Sequence, residues 1–182
     1  TSIPVRIHWG RPRRQCDDQD DESYAQWLGG RLPHAKIVAL TAHQAKPNAY
    51  EVASPVKDQR AFLREQIQRG VVSLVSYPTN LEQLAKHLIE SGEQIPELKR
   101  IICMSELFES SQEALMHQAF PNAQIGATYS STEVGMIAGR CPYNPENYHI
   151  MANKLGLEFI NSQGEPCKDG EVGQIVIKKK KN

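Results

Sequence analysis

The sequence of 182 residues lacks several features that mark common classes of protein. No apolar run approaches the ~20 residues that a membrane-spanning helix needs, and no stretch resembles a signal peptide. Lys plus Arg number 21, as do Asp plus Glu, so the formal net charge is zero. This balance gives no reason to expect a nucleic acid or an anionic membrane as a partner.

Cysteines are few, and none is arranged as a CxxC pair. The four are Cys16, Cys103, Cys141 and Cys167. Without a sign of secretion, we expect free thiols and a cytoplasmic protein. Cys141 and His149 share a turn-rich segment and would need Cys103 to join them from afar to make a zinc site. The alternative is a packed thiol and a hydrogen-bonded imidazole.

Hydrophobic residues make up 40% of the chain, which is enough to bury a core. In the first two thirds, strand-like and helix-like segments alternate. Strands are predicted over 3–9, 36–42, 71–75, 100–104 and 123–128, and helices over 23–32, 57–68, 80–90 and 111–120. Thr79 or Asn80 is expected to cap the third helix, and Ser110 or Ser111 the fourth. This order predicts an α/β fold with a mainly parallel sheet and covering helices.

After Gly135 the pattern changes to strands and turns. Strands are predicted over 136–138, 148–151, 157–160 and 174–177, with turns at 161–164 and 168–170. We therefore expect an α/β subdomain over 1–140, followed by a small β-rich subdomain over 141–182.

The polar segment Tyr-Ser-Ser-Thr-Glu at 129–133 lies where the two patterns meet. In open α/β sheets, ligands bind beyond the carboxyl ends of strands. Tyr129 can stack on a base, the hydroxyls of Ser130 and Ser131 can bond phosphate oxygens, and Glu133 can hold a divalent cation. The same residues also suit a helix start, with Ser130 or Ser131 as its N-cap.

The order and spacing of several segments resemble the adenylate-forming superfamily, the acyl-CoA synthetases and their relatives. The most similar branch is that of the phenylacetate–CoA ligases. Segment 129–133 resembles the family's Tyr-Gly-x-Thr-Glu motif, and Met104-Ser105-Glu106-Leu107 resembles its Gly-(Gly/Ala)-Glu-Pro segment. Downstream, segments 148–150, 156–160, 164–166 and 170–177 resemble the pattern of that branch in order, so that the likeness covers roughly 71–177.

The resemblance implies an adenine pocket within a nucleotide-binding α/β subdomain. Tyr129 would stack against adenine, and Ser105 and Glu106 would line the edge of the pocket, partly through backbone groups. Ser130 and Ser131 would belong to the same nucleotide-binding segment.

The resemblance also implies a phosphate and metal side to the site. Thr132 would contact the phosphate of the acyl-adenylate, and Glu133 would help hold Mg²⁺ against the phosphates of ATP. The implied reaction joins ATP and a small carboxylic acid into acyl-AMP and pyrophosphate, and then transfers the acyl group to a thiol, coenzyme A. ATP, Mg²⁺ and coenzyme A are therefore the expected cofactors.

Some features depart from the family pattern. Ser130 replaces a glycine, and Met104 and Leu107 replace a glycine and a proline. Segment 1–4 resembles the tail of the family's phosphate loop, while the ribose-binding aspartate and the catalytic lysine would lie beyond residue 182. We therefore expect a fragment that needs flanking segments of its parent chain and is inactive alone. The alternative is a non-catalytic α/β interaction domain that keeps the fold without the chemistry.

Overall fold

The computed structural model describes residues 24, 26, 28, 30, 32–42, 48–131, 133–151 and 155–179. The strand predicted over 3–9 and the segment 1–4 lie outside these residues. So does most of the helix predicted over 23–32. Among the described residues, no helix is both long and apolar enough to cross a membrane.

The described ranges contain nine strands and three α-helices. The strands are β1 (Ile37–Thr41), β2 (Ala49–Glu51), β3 (Ser73–Ser76), β4 (Arg100–Met104), β5 (Gln124–Ser131), β6 (Gly135–Arg140), β7 (Tyr148–Ile150), β8 (Leu155–Ile160) and β9 (Gln174–Lys179). The helices are α1 (Val56–Gln68), α2 (Pro78–Glu90) and α3 (Ser110–Ala119).

Seven strands form one sheet in the order β2-β1-β3-β4-β5-β6-β7. The first five are parallel to their neighbours, and β6 and β7 are added antiparallel. β8 and β9 form a separate antiparallel pair. The predicted α/β fold, with a mainly parallel sheet and a small β-rich part, is confirmed. The division into subdomains at residue 140 stays a prediction, and β7 belongs to the large sheet.

The helices cover one face of the large sheet. The chain steps in one direction from β1 to β3, β4 and β5, and right-handed crossovers then place the connecting helices on the same side. Leu74 and Ile101 on the strands and Leu63, Leu84 and Phe120 on the helical side are all fully buried in one cluster. Each such side chain contributes about 1.5–3 kcal/mol through burial.

The start of α2 differs from the prediction. The helix begins at Pro78, with Tyr77 as the N-cap and no capping side chain there, because proline suits the first helical position, which needs no N–H partner. Asn80 instead lies in the core, where its amide donates to Oε1 of Gln59 at 2.9 Å. Neither Thr79 nor Asn80 is the N-cap.

The cap of α3 also differs from the prediction. Glu109 is the N-cap, and it forms a reciprocal capping box with Gln112. Ser110 and Ser111 lie inside the first turn of the helix. A box satisfies two backbone donors at once, which explains why Glu109 displaces the serines.

The strand β2 was missed by sequence patterning, which predicted only turns there. It pairs in parallel with β1 from Ala49 to Glu51. Three residues are too few to show the alternation that identifies a strand.

The second face of the sheet carries Tyr24. Its hydroxyl donates to the carbonyl of Ala127 at 2.9 Å and accepts from the N–H of the same residue at 3.0 Å. Burial raises the pKa of Tyr24 to about 12. The ring lies directly on Gly139, where an added Cβ would be 2.5 Å from a ring carbon. The close fit needs a residue without a side chain at this point of β6.

Gly139→Ala should therefore destabilise the fold by ~1–3 kcal/mol, since either the ring or the strand must shift. Urea denaturation of both proteins measures the difference. Gly156→Ala in β8 is the matched control, because a Cβ there meets its nearest atom at an ordinary 3.7 Å. Equal stability of wild type and Gly139→Ala would contradict the packing of Tyr24 on β6.

Candidate functional site

A cavity of about 570 Å³ lies between the large sheet and the β8–β9 pair. Its polar rim includes Ser105 and Glu106, which follow β4, and Tyr129 and Ser130 at the end of β5. These four residues were predicted to share one site, and the structure brings them together. The physical reason is the parallel pairing of β4 with β5, which places the last residues of both strands at the same edge.

The walls of the cavity are mainly apolar. They include Ile137 on β6, Ile150 on β7, Leu157 and Phe159 on β8, and Ile175 on β9. Phe159 pairs with Ile175 across the two small strands, so both side chains project from the same face of that pair. These wall residues were not singled out from the sequence, because isolated apolar positions on short strands look like core.

Segment 129–131 is strand rather than loop or helix. β5 continues through Ser131, and Tyr129 is opposite Ala138 of β6, with a register shift between Tyr129 and Ser130. The interpretation of Ser130 or Ser131 as a helix N-cap is wrong. Tyr129 was expected on a loop leaving the strand, but pairing with β6 extends the strand through it. Its side chain is 46% exposed and can stack on a flat ligand.

Ser105 has an unusual backbone conformation. Its φ is 64°, the left-handed region that favours glycine. The next residue, Glu106, is fixed through its carboxylate, which accepts from the N–H of Thr79 at 3.0 Å and from its hydroxyl at 2.7 Å. Strain of this kind persists where surrounding contacts determine the conformation. The carboxylate of Glu106 is therefore hydrogen-bonded to the start of α2.

Glu133 lies in the turn between β5 and β6 and is exposed. A hydrogen bond from Ser131 lowers the pKa of Glu133 from its ordinary value of 4.5, and the carboxylate is charged at neutral pH as an exposed glutamate is. An ionised, accessible carboxylate is a suitable ligand for Mg²⁺. Thr132 lies outside the described residues. Among the described residues, no group of three or more His, Cys, Asp or Glu side chains could hold a metal ion.

An ion pair that joins β6 to α3 was missed by sequence reasoning. Arg140, 6% exposed at the end of β6, donates from its two terminal nitrogens to the two carboxylate oxygens of Glu113, both at 2.7 Å. The hydrogen bond from Arg140 lowers the pKa of Glu113. The partners are 27 residues apart in sequence, a separation that gives no local pattern.

The thiols differ in their surroundings. A hydrogen bond with His149 lowers the pKa of Cys141, and the sulfur also accepts from the N–H of Asn144 at 3.3 Å. Burial raises the pKa of Cys103 to about 12 and also raises that of Cys167.

Glu113→Gln should lower stability by about 1–3 kcal/mol near pH 7, since a charge-assisted bidentate contact is lost. The folded pKa of Glu113 is depressed, so its contribution is present above the ordinary value of 4.5 and is lost as the pH falls through the folded pKa. The difference between wild type and variant should therefore shrink in acid. Urea denaturation across this range measures it.

Glu65→Gln is the control for that series. Glu65 pairs with Arg69 on the surface, with side chains 54% and 65% exposed, so the change should stay within ~0.5 kcal/mol. A Glu113→Gln difference that grows on acidification would contradict the argument.

Of the two buried thiols, Cys141 should react with iodoacetamide before Cys103, because the thiolate is the reactive form and Cys141 is 9% exposed against 1% for Cys103. Peptide mapping by mass spectrometry at neutral pH gives the order. His149→Gln should slow the labelling of Cys141 and move its pH profile upward. Labelling of Cys103 ahead of Cys141 would refute the assignment.

Comparisons with solved structures show the fold. The amide bond synthetase McbA from Marinactinospora thermotolerans is 15% identical with a TM-score of 0.63, over 92% of this chain and 36% of that one. A luciferase-like enzyme from the nonluminescent Zophobas morio mealworm is 13% identical with a TM-score of 0.64, over 94% of this chain and 44% of that one. 2-Hydroxyisobutyryl-CoA ligase in an open conformation with 2-HIB-AMP and CoA is 12% identical with a TM-score of 0.69, over 92% of this chain and 44% of that one.

The chain thus spans well under half the length of each of these three proteins. The predicted likeness to adenylate-forming ligases is confirmed at the level of the fold. No protein-family model matches the sequence, and no curated protein matches it.

Proposed function

We propose that this chain is part of an AMP-forming ligase that activates a carboxylic acid with ATP and passes the acyl group to a thiol, coenzyme A. The observation that carries the proposal is the cavity itself. It joins a polar rim, formed by Ser105, Tyr129 and Ser130, to apolar walls within one space of about 570 Å³. A nucleotide and an apolar acid need these two kinds of surface side by side.

The rim suits a nucleotide. The half-exposed ring of Tyr129 offers a stacking surface for adenine. The left-handed turn at Ser105 bends the backbone beside this ring as the chain leaves β4. In the proposed site, adenine lies between Tyr129 and the segment that begins at Ser105.

The walls suit the organic part of an acid. Ile137, Phe159 and Ile175 present aliphatic and aromatic carbon to the cavity, and burying an apolar group against them is favourable by ~25 cal/mol per Å². We therefore propose an acid with an apolar body as the substrate. The phenylacetate–CoA ligase-like branch, suggested by the sequence, is consistent with such an acid.

In the proposed reaction, a carboxylate oxygen attacks the α-phosphorus of ATP, the bond to the bridging oxygen breaks, and pyrophosphate leaves. Negative charge develops at phosphorus, and the protein's main tasks are positioning and charge stabilisation. Glu133, whose carboxylate is hydrogen-bonded to Ser131, would hold Mg²⁺, which neutralises phosphate charge when bound. Thr132 would contact the α-phosphate.

The remaining assignments belong to the same proposal. The division into a nucleotide-binding part over 1–140 and a β-rich part over 141–182 would place the cavity at their junction. Flanking segments of a longer chain would complete the site. The free thiols of Cys103, Cys141 and Cys167 support a reducing compartment such as the cytoplasm.

Glu133→Gln in the full-length protein should keep the fold but lower acid-dependent ATP–pyrophosphate exchange at least ~10²-fold. An amide is a much poorer Mg²⁺ ligand than a carboxylate, and loss of one preorganised charge-stabilising group has this order of effect. The assay uses a series of apolar acids, with and without Mg²⁺.

Glu146→Gln is the matched control, since Glu146 is also exposed but lies in the loop between β6 and β7. Exchange at the wild-type rate in Glu133→Gln would remove Glu133 from the mechanism. If the wild-type protein shows no exchange with any acid and no binding of Mg·ATP, the non-catalytic interaction domain becomes the better interpretation.

A further inference from the structure

One side of the cavity is lined by Ser105, Glu106 and Leu107, in the segment 105–109 that we call the β4–α3 loop, and the opposite side by Ile137 on β6. β4 and β6 are both hydrogen-bonded to β5, so strand pairing sets the separation of these two strands. Residues 105–109 themselves belong to no strand. Contacts of their side chains therefore decide how the loop lies against β6.

Arg140 makes this connection from the end of β6. Its guanidinium carbon lies 4.8 Å from the centre of the Phe108 ring, in the β4–α3 loop. Its terminal nitrogens hold Glu113 in the first turn of α3, where the loop ends. Its Nε donates to the carbonyl of Pro145 at 2.9 Å. One side chain thus contacts the loop, the helix behind it and the turn after β6.

Burial makes the arrangement rigid. Arg140 is 6% and Phe108 9% exposed. A planar guanidinium matches a carboxylate with two parallel hydrogen bonds and stacks on an aromatic face, which a lysine does less well. If the loop moved away from β6, a buried charge would lose its partners, which is strongly unfavourable.

The geometry points to Arg140 as a positioning residue that fixes the β4–α3 loop against β6. By holding Phe108 and Glu113, it keeps Ser105 and Leu107 at a set distance from Ile137 across the cavity. Its importance for adenylation rests on the proposed function, whereas its effect on the loop does not.

Thr79 provides a reporter for the position of the loop. Its amide is hydrogen-bonded at 3.0 Å to the carboxylate of Glu106, in the middle of the loop. Thr79 belongs to α2, and its N–H and its hydroxyl both donate to Glu106 rather than to Glu113. Exchange of its amide hydrogen therefore reports whether the loop stays in place, independently of the substituted residues.

The deciding variant is Arg140→Met combined with Glu113→Leu. It removes both charges at once and keeps apolar volume, so that no unpaired charge is left buried. Hydrogen exchange of the Thr79 amide, followed by NMR, should become about tenfold faster. Amides of β3 should stay within about twofold of wild type, because the sheet remains folded.

Arg69→Met combined with Glu65→Leu is the matched control, because it removes an exposed Arg–Glu pair at the end of α1. It should leave the exchange of Thr79 unchanged. Arg140→Lys should give an intermediate rate, since it keeps the cation and loses the planar fork.

Exchange of Thr79 within about twofold of wild type in the Arg140→Met, Glu113→Leu variant would overturn the positioning role. An equal acceleration in β3 would also overturn it, since that result indicates a general loss of stability. If the full-length protein catalyses adenylation, the same variant should raise the KM for the acid more than it lowers kcat. If it does not, the proposed function fails while the exchange of Thr79 still decides the role of Arg140.

Discussion

The parallel pairing of β4 with β5 is the constraint on which the candidate site depends. The last pair of the register joins Met104 to Thr128, so that Ser105, the first residue after β4, lies beside Tyr129, where β5 continues along β6. A slip of one residue would turn Tyr129 to the opposite face of the sheet. The antiparallel return of β6 then supplies the third side of the cavity. Two polar segments that are distant in sequence become one rim only through this register.

Buried polar contacts hold together the strands and helices behind this edge of the sheet. The hydroxyl of Ser76 donates to the carbonyl of Leu40 at 2.8 Å, and Asn80 joins Ser76 to Gln59. In this network the donors of Ser76, Asn80 and Gln59 all have acceptors, which avoids the cost of an unpaired polar group. The network ties β1, β3, α1 and α2 together and so fixes the start of α2. Glu106 binds the start of this same helix. The buried network is therefore connected to the rim of the cavity.

Sequence-based prediction succeeded for some elements and failed for others. β4 was predicted with the bounds that it has, since its apolar run is followed by a change in polarity. The helix caps were wrong because Pro78 begins α2 and a capping box of Glu109 with Gln112 begins α3, while Asn80 bonds Gln59 in the core. Strand β5 extends further than predicted because β6 returns to pair with it. In the segment 129–133 singled out from the sequence, residues 129–131 are strand rather than the loop or helix start that was expected, and its role in binding stays a prediction.

The sequence alone determined the fold class, the order of most elements and the segments that form the polar rim. The fold class, the order of elements and the polar segment 129–133 follow from hydrophobic periodicity and local composition, whereas Ser105 and Glu106 were implied by the resemblance to adenylate-forming enzymes. Only the tertiary structure decided the apolar walls, such as Phe159 opposite Ile175, and the contact of Arg140 with Glu113. The bond between those two joins positions 27 residues apart, and strand register and crossover geometry bring them together. No periodicity within one segment encodes a partner in another, so such contacts become visible only once the chain is folded.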